Sequence, residues 1–208
     1  MVLHVLAIAG SPRRHGNSET LLDWVIAAMQ AKGGAGIEVE KITLNEVTVR
    51  PCRGCNACER LNRCVQRDDL DWLGPKLLDA DCVILAAPIY CMGVCAQAKA
   101  LIDRAQVFRS RKYVLHLPVV PPERKGRRLG VFLSTAGQTW EDVFDAAVPA
   151  VKCFYHVMEI RDADISYLMV KGVDHAGEVK EHPSAAADAE TLGKDLVREL
   201  RERFGDDC

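Results

Sequence analysis

Short apolar runs alternate with amphipathic stretches along almost the whole chain, and no other feature of the sequence restricts the fold as much. Val2–Ala9 is apolar and ends at Gly10, Ser11–Asn17 is polar, and Ser18–Ala31 repeats Leu21, Val25, Ala28 and Met29 at helical spacing. Strand, loop and helix are the expected elements. Gly33-Gly34 stops the helix, Ile37–Leu44 alternates as a second strand, and Asn45–Arg67 forms a cysteine-rich loop. A helix is expected from Asp68, with Asp71 three residues on, to Leu78, followed by a third strand at Cys82–Ala87. Val94, Ala98, Leu101, Ala105 and Phe108 mark one face of the next helix. Leu129–Ser134 is the fourth expected strand, Trp140–Tyr155 a helix, and Val157–Tyr167 contains the fifth strand. Ala185–Phe204 closes the chain as a helix with Leu192, Leu196 and Leu200 inward. Residues 109–128 break every periodicity with Pro118, Pro121, Pro122 and seven Lys/Arg, and are expected as an insertion. Within it, Val114–Val120 is expected to form a small hairpin arm or a partner-binding flap.

Strictly alternating elements specify a parallel sheet covered on both faces. The expected fold is α/β: a flavodoxin-like three-layer sandwich with a five-stranded parallel sheet in the order 2-1-3-4-5. With 208 residues and 49% apolar content, residues 1–208 are expected as one domain. The balance of 27 basic against 29 acidic residues supplies no field for nucleic acid or an anionic membrane. No apolar run reaches the ~18 residues of a membrane span. Without the pattern of a signal peptide, and with an odd count of nine cysteines, reduced thiols in a cytoplasm are expected.

Cys52, Cys55, Cys58 and Cys64 place four thiols within thirteen positions. Successive i, i+3, i+6 thiolates can wrap one iron–sulfur cubane, and a fourth completes its corner. Zinc ribbons separate their two knuckles by about 15–20 residues, which this overlapping spacing does not. A single [4Fe–4S] cluster is the expectation, with structural zinc and an uncoordinated or redox-active thiol loop as alternatives. Arg50, Arg53, Arg60, Arg63 and Arg67 flank the thiols, opposed in that window by Glu59. Such charge raises an anionic cluster's potential, docks an acidic carrier such as ferredoxin, or is a solvated loop face. Cys82 and Cys153 are expected in the core; Cys91 and Cys95 flank the loop after the third strand, and Cys208 has no assigned role. His15 and the pair Asp103 and Arg104 are expected in solvent.

Ligands of an open parallel sheet lie beyond the carboxyl ends of its strands. There, Gly10–Thr20 offers close backbone approach, the hydroxyls of Ser11, Ser18 and Thr20, and a helix N-terminus for a phosphate. It has neither a Walker lysine nor a dinucleotide turn, which points to a monophosphate. Pro88, Ile89, Tyr90, Cys91, Met92 and Gly93 combine an aromatic and polarizable sulfurs suited to a flat ring system. Ser134–Gln138 adds amides and small side chains for a ring edge. Together the three loops read as a flavin site.

GSPRRHGNSETLL, PCRGCNACERLNRCVQRDD and APIYCMGVCAQAKALIDR resemble the iron–sulfur flavoprotein family, a branch of the NADPH-dependent FMN reductase group. The resemblance covers about residues 1–137. It implies FMN phosphate contacts from Ser11, Arg13, Asn17, Ser18 and Thr20. It also implies isoalloxazine contacts from Pro88, Ile89, Tyr90, Cys91, Met92 and Gly93, with Ser134, Thr135 and Gly137 from the third loop. Cys52, Cys55, Cys58 and Cys64 become ligands of a [4Fe–4S] cluster, and a homodimer or homotetramer is implied. The expected activity is flavin-centred electron transfer, coupling two-electron and one-electron steps without a general acid or nucleophile from the protein. NAD(P)H or a redox protein is the expected donor, and a quinone, an oxygen species or another redox protein the acceptor. A cluster-free NAD(P)H-dependent FMN or quinone reductase is the alternative. So is a non-catalytic electron carrier or zinc-stabilised binding module.

Overall fold

The computed structural model describes residues 2–205, so Cys208 lies outside the described residues. The chain runs β1 (Leu3–Ala9), α1 (Asn17–Gly33), β2 (Ile37–Thr43), α2 (Cys58–Leu61) and α3 (Leu70–Asp79). It continues through β3 (Cys82–Tyr90), β4 (Gly93–Val94), α4 (Ala96–Arg104) and α5 (Gln106–Tyr113). The last elements are β5 (Leu129–Thr135), α6 (Val148–Val157), β6 (Ile165–Val170) and α7 (Ala185–Phe204).

Five parallel strands pair in the order β2-β1-β3-β5-β6, and β4 adds two antiparallel residues to the end of β3. Counting the long strands alone, this is the expected 2-1-3-4-5 order, and the fold is flavodoxin-like. Side chains alternate across each strand, so β1 sends Leu3, Val5 and Ala7 to one core and Leu6 and Ile8 to the other. The first core packs β1, β3 and β5 against α1 and α7 through Leu21, Val25, Met29, Leu196 and Leu200. The second packs them against α3 to α6 through Leu73, Leu77, Leu101, Phe108 and Phe154.

Several local expectations change. The helix expected through Phe108 divides at Ala105 into α4 and α5. The helix expected from Trp140 starts at Val148, with Pro149 in its first turn. Proline suits a first turn because it has no N–H to spend, whereas deeper in a helix its ring meets the carbonyl four residues back. β6 starts at Ile165 because Arg161 and Asp164 close a 3-10 turn before it, with Arg161 Nε donating to Asp164 Oδ2 at 2.6 Å.

The expected hairpin arm is absent: Arg109–Tyr113 completes α5, and 114–120 contains no strand. Val119 and Val120 are buried in the second core instead. Arg128, fully buried, donates from Nε to the Ala80 carbonyl at 2.7 Å and from Nη1 to Met158 at 2.6 Å, with a third bond to Leu77. Burial lowers its pKa to about 10. Arg124 Nε donates to Asp81 Oδ1 at 2.9 Å, and Asp81 Oδ2 accepts from the His4 amide. Two of the basic residues that spoiled the periodicity, Arg124 and Arg128, therefore strap helix ends to the sheet.

Candidate functional site

Beyond the carboxyl ends of β1, β3 and β5, the three expected loops meet in one cleft. Ser11, Arg13, Asn17, Ser18, Pro88, Ile89, Tyr90, Thr135 and Gly137 line it. α1 begins there at Asn17, so the positive end of its dipole and unpaired backbone N–H groups lie beside Ser11 and Ser18. At the preceding turn, the Gly10 amide donates to Ala86 O at 2.7 Å, where a Cβ on Gly10 would lie only 3.0 Å from that oxygen. The chain can leave β1 this close to β3 because residue 10 has no side chain.

A fourth loop, contributing Val173, Asp174 and Ala176, completes the cleft and was not among the expected site residues. Asn17 holds it: Nδ2 donates to Val173 O at 3.2 Å and His175 O at 2.8 Å. Its Oδ1 accepts from the amides of Gly177 at 3.0 Å and Val179 at 3.3 Å. All four hydrogen-bonding positions of the side-chain amide are spent on this loop, which leaves the phosphate contact expected of Asn17 to its backbone N–H at the start of α1. Gly137 lets the third and fourth loops touch, since a Cβ there would lie 2.8 Å from Asp174 Cβ. Gly172 and Gly177, both with positive φ, bracket the fourth loop and were its signal in the sequence.

Thr20, Cys91, Met92, Gly93 and Ser134 are not among the lining residues. Ser134 is fully buried and its Oγ donates to Ala87 O at 2.8 Å, stitching β5 to β3. Cys91 and Met92 form the tight turn between β3 and β4 with φ of 48° and 65°. Left-handed backbone is uncommon for non-glycine residues, and here it packs Met92 with Ile89 against Ala136, Val143 and Phe144.

Glu19, 1% exposed, braces the first loop by accepting the His15 amide and, at 2.9 Å, Lys41 Nζ. His15 itself is exposed, as expected. Burial pushes the Glu19 carboxyl up, but the Lys41 hydrogen bond, the His15 amide and the charges of Lys41 and Arg14 outweigh it and hold the pKa below the ordinary value. A carboxylate with a depressed folded pKa stabilises the fold above its unfolded pKa, and that contribution is lost as pH falls through the folded value. Thermal stability measured against pH should therefore fall on acidification below the usual carboxylate range. Glu19→Gln should already be less stable at neutral pH and show a flatter acid limb; an unchanged profile would remove Glu19 from the brace.

The stem of the cysteine loop is closed by two acids. Asp69 N donates to Thr48 O at 3.0 Å and its Oδ2 accepts from Thr48 N at 2.6 Å, while Asp68 Oδ2 accepts from Arg50 N at 3.0 Å. Above this stem Cys52, Cys55, Cys58 and Cys64 line one small cavity together with Arg104 and Gln106. Cys52 and Cys55 are exposed, and Cys58 and Cys64 half-buried. Among the described residues, no three His, Cys, Asp or Glu side chains converge on a metal position. The donor chemistry nonetheless suits an anionic sulfur centre. The Gly54 amide donates to Cys52 Sγ at 3.5 Å, and Cys58 Sγ lies 3.2 Å from the buried Ser110 Oγ.

A profile of the NADPH-dependent FMN reductase family matches residues 3–141, more than half of the chain and the stretch that carries the cysteine loop and the first three loops of the cleft. The chain belongs to the NADPH-dependent FMN reductase family. Its sequence relatives include an iron–sulfur flavoprotein of Archaeoglobus fulgidus, 36% identical over 135 residues, 65% of this chain and 56% of that protein. Another, of Methanocaldococcus jannaschii, is 43% identical over 107 residues, 51% of this chain and 54% of that protein. The chain thus spans little more than half the length of these two. An iron–sulfur flavoprotein of Methanosarcina thermophila matches at 26% over 204 residues, 98% of this chain and 94% of that protein. The fold is shared with an FMN-dependent NADH-azoreductase from Bacillus anthracis (TM-score 0.68, 14% identity, covering 94% of this chain and 100% of that one). An NAD(P)H:quinone oxidoreductase from Methanothermobacter marburgensis is similar in fold (TM-score 0.64, 17% identity, 94% and 98% covered).

In this FMN reductase family member the other cysteines divide by burial. Cys82 is fully buried and its thiol is pushed up to about 12. Cys95 is buried, its thiol raised chiefly by burial, and its Sγ donates to Gly10 O at 2.9 Å, tying α4 to the first loop. Both are structural thiols. Cys153, expected in the core, is exposed on α6. Asp103 is exposed as expected, pairing with Lys99, but Arg104 is only 2% exposed. A single residue step turns a helix side chain by about 100°, which is enough to move it from solvent to the underside of a loop. No helix among the described residues is long and apolar enough to cross a membrane.

Proposed function

We propose that this flavin oxidoreductase family member binds FMN in the four-loop cleft and a [4Fe–4S] cluster on Cys52, Cys55, Cys58 and Cys64, and couples two-electron to one-electron transfer. The observation that carries the reading is the convergence of a helix N-terminus, Ser11, Ser18, Tyr90, Thr135 and Gly137 on one cleft. A flavin exchanges electrons in pairs or singly, whereas an iron–sulfur cluster passes one at a time. The protein's own residues bind and orient. The α1 N-terminus takes the phosphate, Ile89 and Tyr90 border the ring, and the Asn17-held loop closes the cleft. NAD(P)H or a redox protein is the proposed donor, with a quinone, an oxygen species or another redox protein as acceptor. Because the cysteine loop follows β2 at the edge of the sheet, we propose a homodimer or homotetramer that brings one subunit's thiols to its partner's flavin.

Released cofactor should run as FMN on chromatography, and anaerobically purified protein should contain iron and sulfide. Stoichiometric FAD would sink the phosphate-site reading. The second reading, a cluster-free NAD(P)H-dependent FMN or quinone reductase, is favoured by the exposure of Cys52 and Cys55. A pure flavin spectrum without iron or sulfide would decide for it. Asn17→Ala tests the cleft itself: it should release the fourth loop to proteolysis and weaken flavin binding tenfold or more, about 1.5 kcal/mol. Unchanged affinity and unchanged cleavage of residues 173–179 would place the flavin elsewhere.

A further inference from the structure

Arg104 was expected on a solvated helix face, yet its side chain is 1% exposed and that of its partner Asp68 is 0% exposed. The guanidinium donates from Nη1 to Asp68 Oδ2 at 2.6 Å and to the Arg50 carbonyl at 2.8 Å, and from Nη2 to Asp68 Oδ1 at 3.0 Å. This fork grips both sides of the loop stem. Nε is also buried, and it has no hydrogen-bond partner within the described residues. A buried N–H left unpaired costs about 1–3 kcal/mol, so an acceptor at that position is worth having. The cavity that Arg104 helps to line is the one lined by Cys52, Cys55, Cys58 and Cys64. By contrast Arg50, Arg53, Arg60, Arg63 and Arg67 are all exposed, where water and salt screen their fields.

Resting on the cluster reading proposed above, we infer that Arg104 is the positioning residue of the cysteine site. It fixes the loop stem through Asp68 and Arg50, whose carboxylate and carbonyl occupy its Nη groups, and presents its unspent Nε–H to the cavity that Cys64 lines. A hydrogen bond donated to sulfur stabilises the reduced, more anionic form of such a cluster, so the Arg104 Nε–H raises its potential even though Asp68 balances the guanidinium's charge. The exposed arginines contribute little to that potential.

The test compares wild type with Arg104→Lys, Arg104→Gln and Arg67→Gln, each purified anaerobically and assayed for FMN, iron, sulfide and midpoint potential by a titration followed by electron paramagnetic resonance. Lysine keeps a cation but has neither the fork nor the Nε donor. FMN content reports folding, because the flavin cleft is built from other loops. Arg104→Lys should keep FMN and either shift the midpoint downward or lose iron. Arg104→Gln should lose more iron, or shift further, and Arg67→Gln should match wild type. If Arg104→Lys keeps wild-type iron and potential, or if Arg67→Gln shifts the midpoint as far, Arg104 is not the tuning group and the cluster reading stands. Wild-type protein without iron and sulfide would overturn both.

Discussion

On the proposed cluster reading, Cys64→Ala should yield a protein that keeps FMN and loses the cluster, with iron and sulfide falling from stoichiometric to trace or partial occupancy. Three of the four thiols, Cys52, Cys55 and Cys58, follow one another at i, i+3 and i+6, and Cys64 stands alone on the far side of α2. Removing it opens one corner of the proposed ligand set. The other described thiols lie elsewhere: Cys82 and Cys95 are buried in other parts of the fold, Cys91 is in the β3–β4 turn, and Cys153 lies on α6. The flavin cleft shares no lining residue with the thiol cavity, so FMN content should be unchanged. Electron delivery to one-electron acceptors should fall, while two-electron acceptors are affected less. Cys82→Ala is the control, because it removes a core thiol and leaves the loop intact. A normal cluster in Cys64→Ala would undo the ligand assignment, and equimolar zinc in wild type would make the loop structural.

Arg128→Met should produce the largest loss of stability of any single substitution considered, about 2–4 kcal/mol, because three buried carbonyls lose their donor while the desolvation cost of a buried cation is relieved. The side chain is fully buried and serves carbonyls of Leu77, Ala80 and Met158, which end α3, lead into β3 and follow α6. Methionine approximates its length but donates nothing, so each carbonyl is left buried without its partner at about 1–3 kcal/mol before relaxation. Against a typical total of about 5–15 kcal/mol, the urea midpoint should move markedly. Arg127→Met, at a position only half-buried, should cost far less. A loss below about 1 kcal/mol in Arg128→Met would mean that water or a local rearrangement replaces the three bonds.

The order of strands and helices was legible in the sequence because apolar periodicity is a local signal and an alternating pattern leaves few topologies open. The four thiols and the three strand-end loops were legible for the same reason: each is contiguous, and a loop after a parallel strand must lie at the ligand edge of the sheet. What the sequence could not reveal depends on partners distant in the chain. Residues 109–128 looked like an insertion because their charges break every pattern, yet Arg124 and Arg128 are spent on Asp81 and on helix-end carbonyls. The Asn17 side chain looked free for a phosphate, and only the return of the chain after β6, some 160 residues later, supplied the four backbone groups that occupy its amide. Arg104 looked solvated beside Asp103, and the folded stem of the cysteine loop buried it against Asp68. In each case the residue type was plain from the sequence and its role was not, because hydrogen bonds and ion pairs are set by three-dimensional proximity. Hydrophobic periodicity decided where the chain runs; tertiary packing decided which polar groups remain free to meet a ligand.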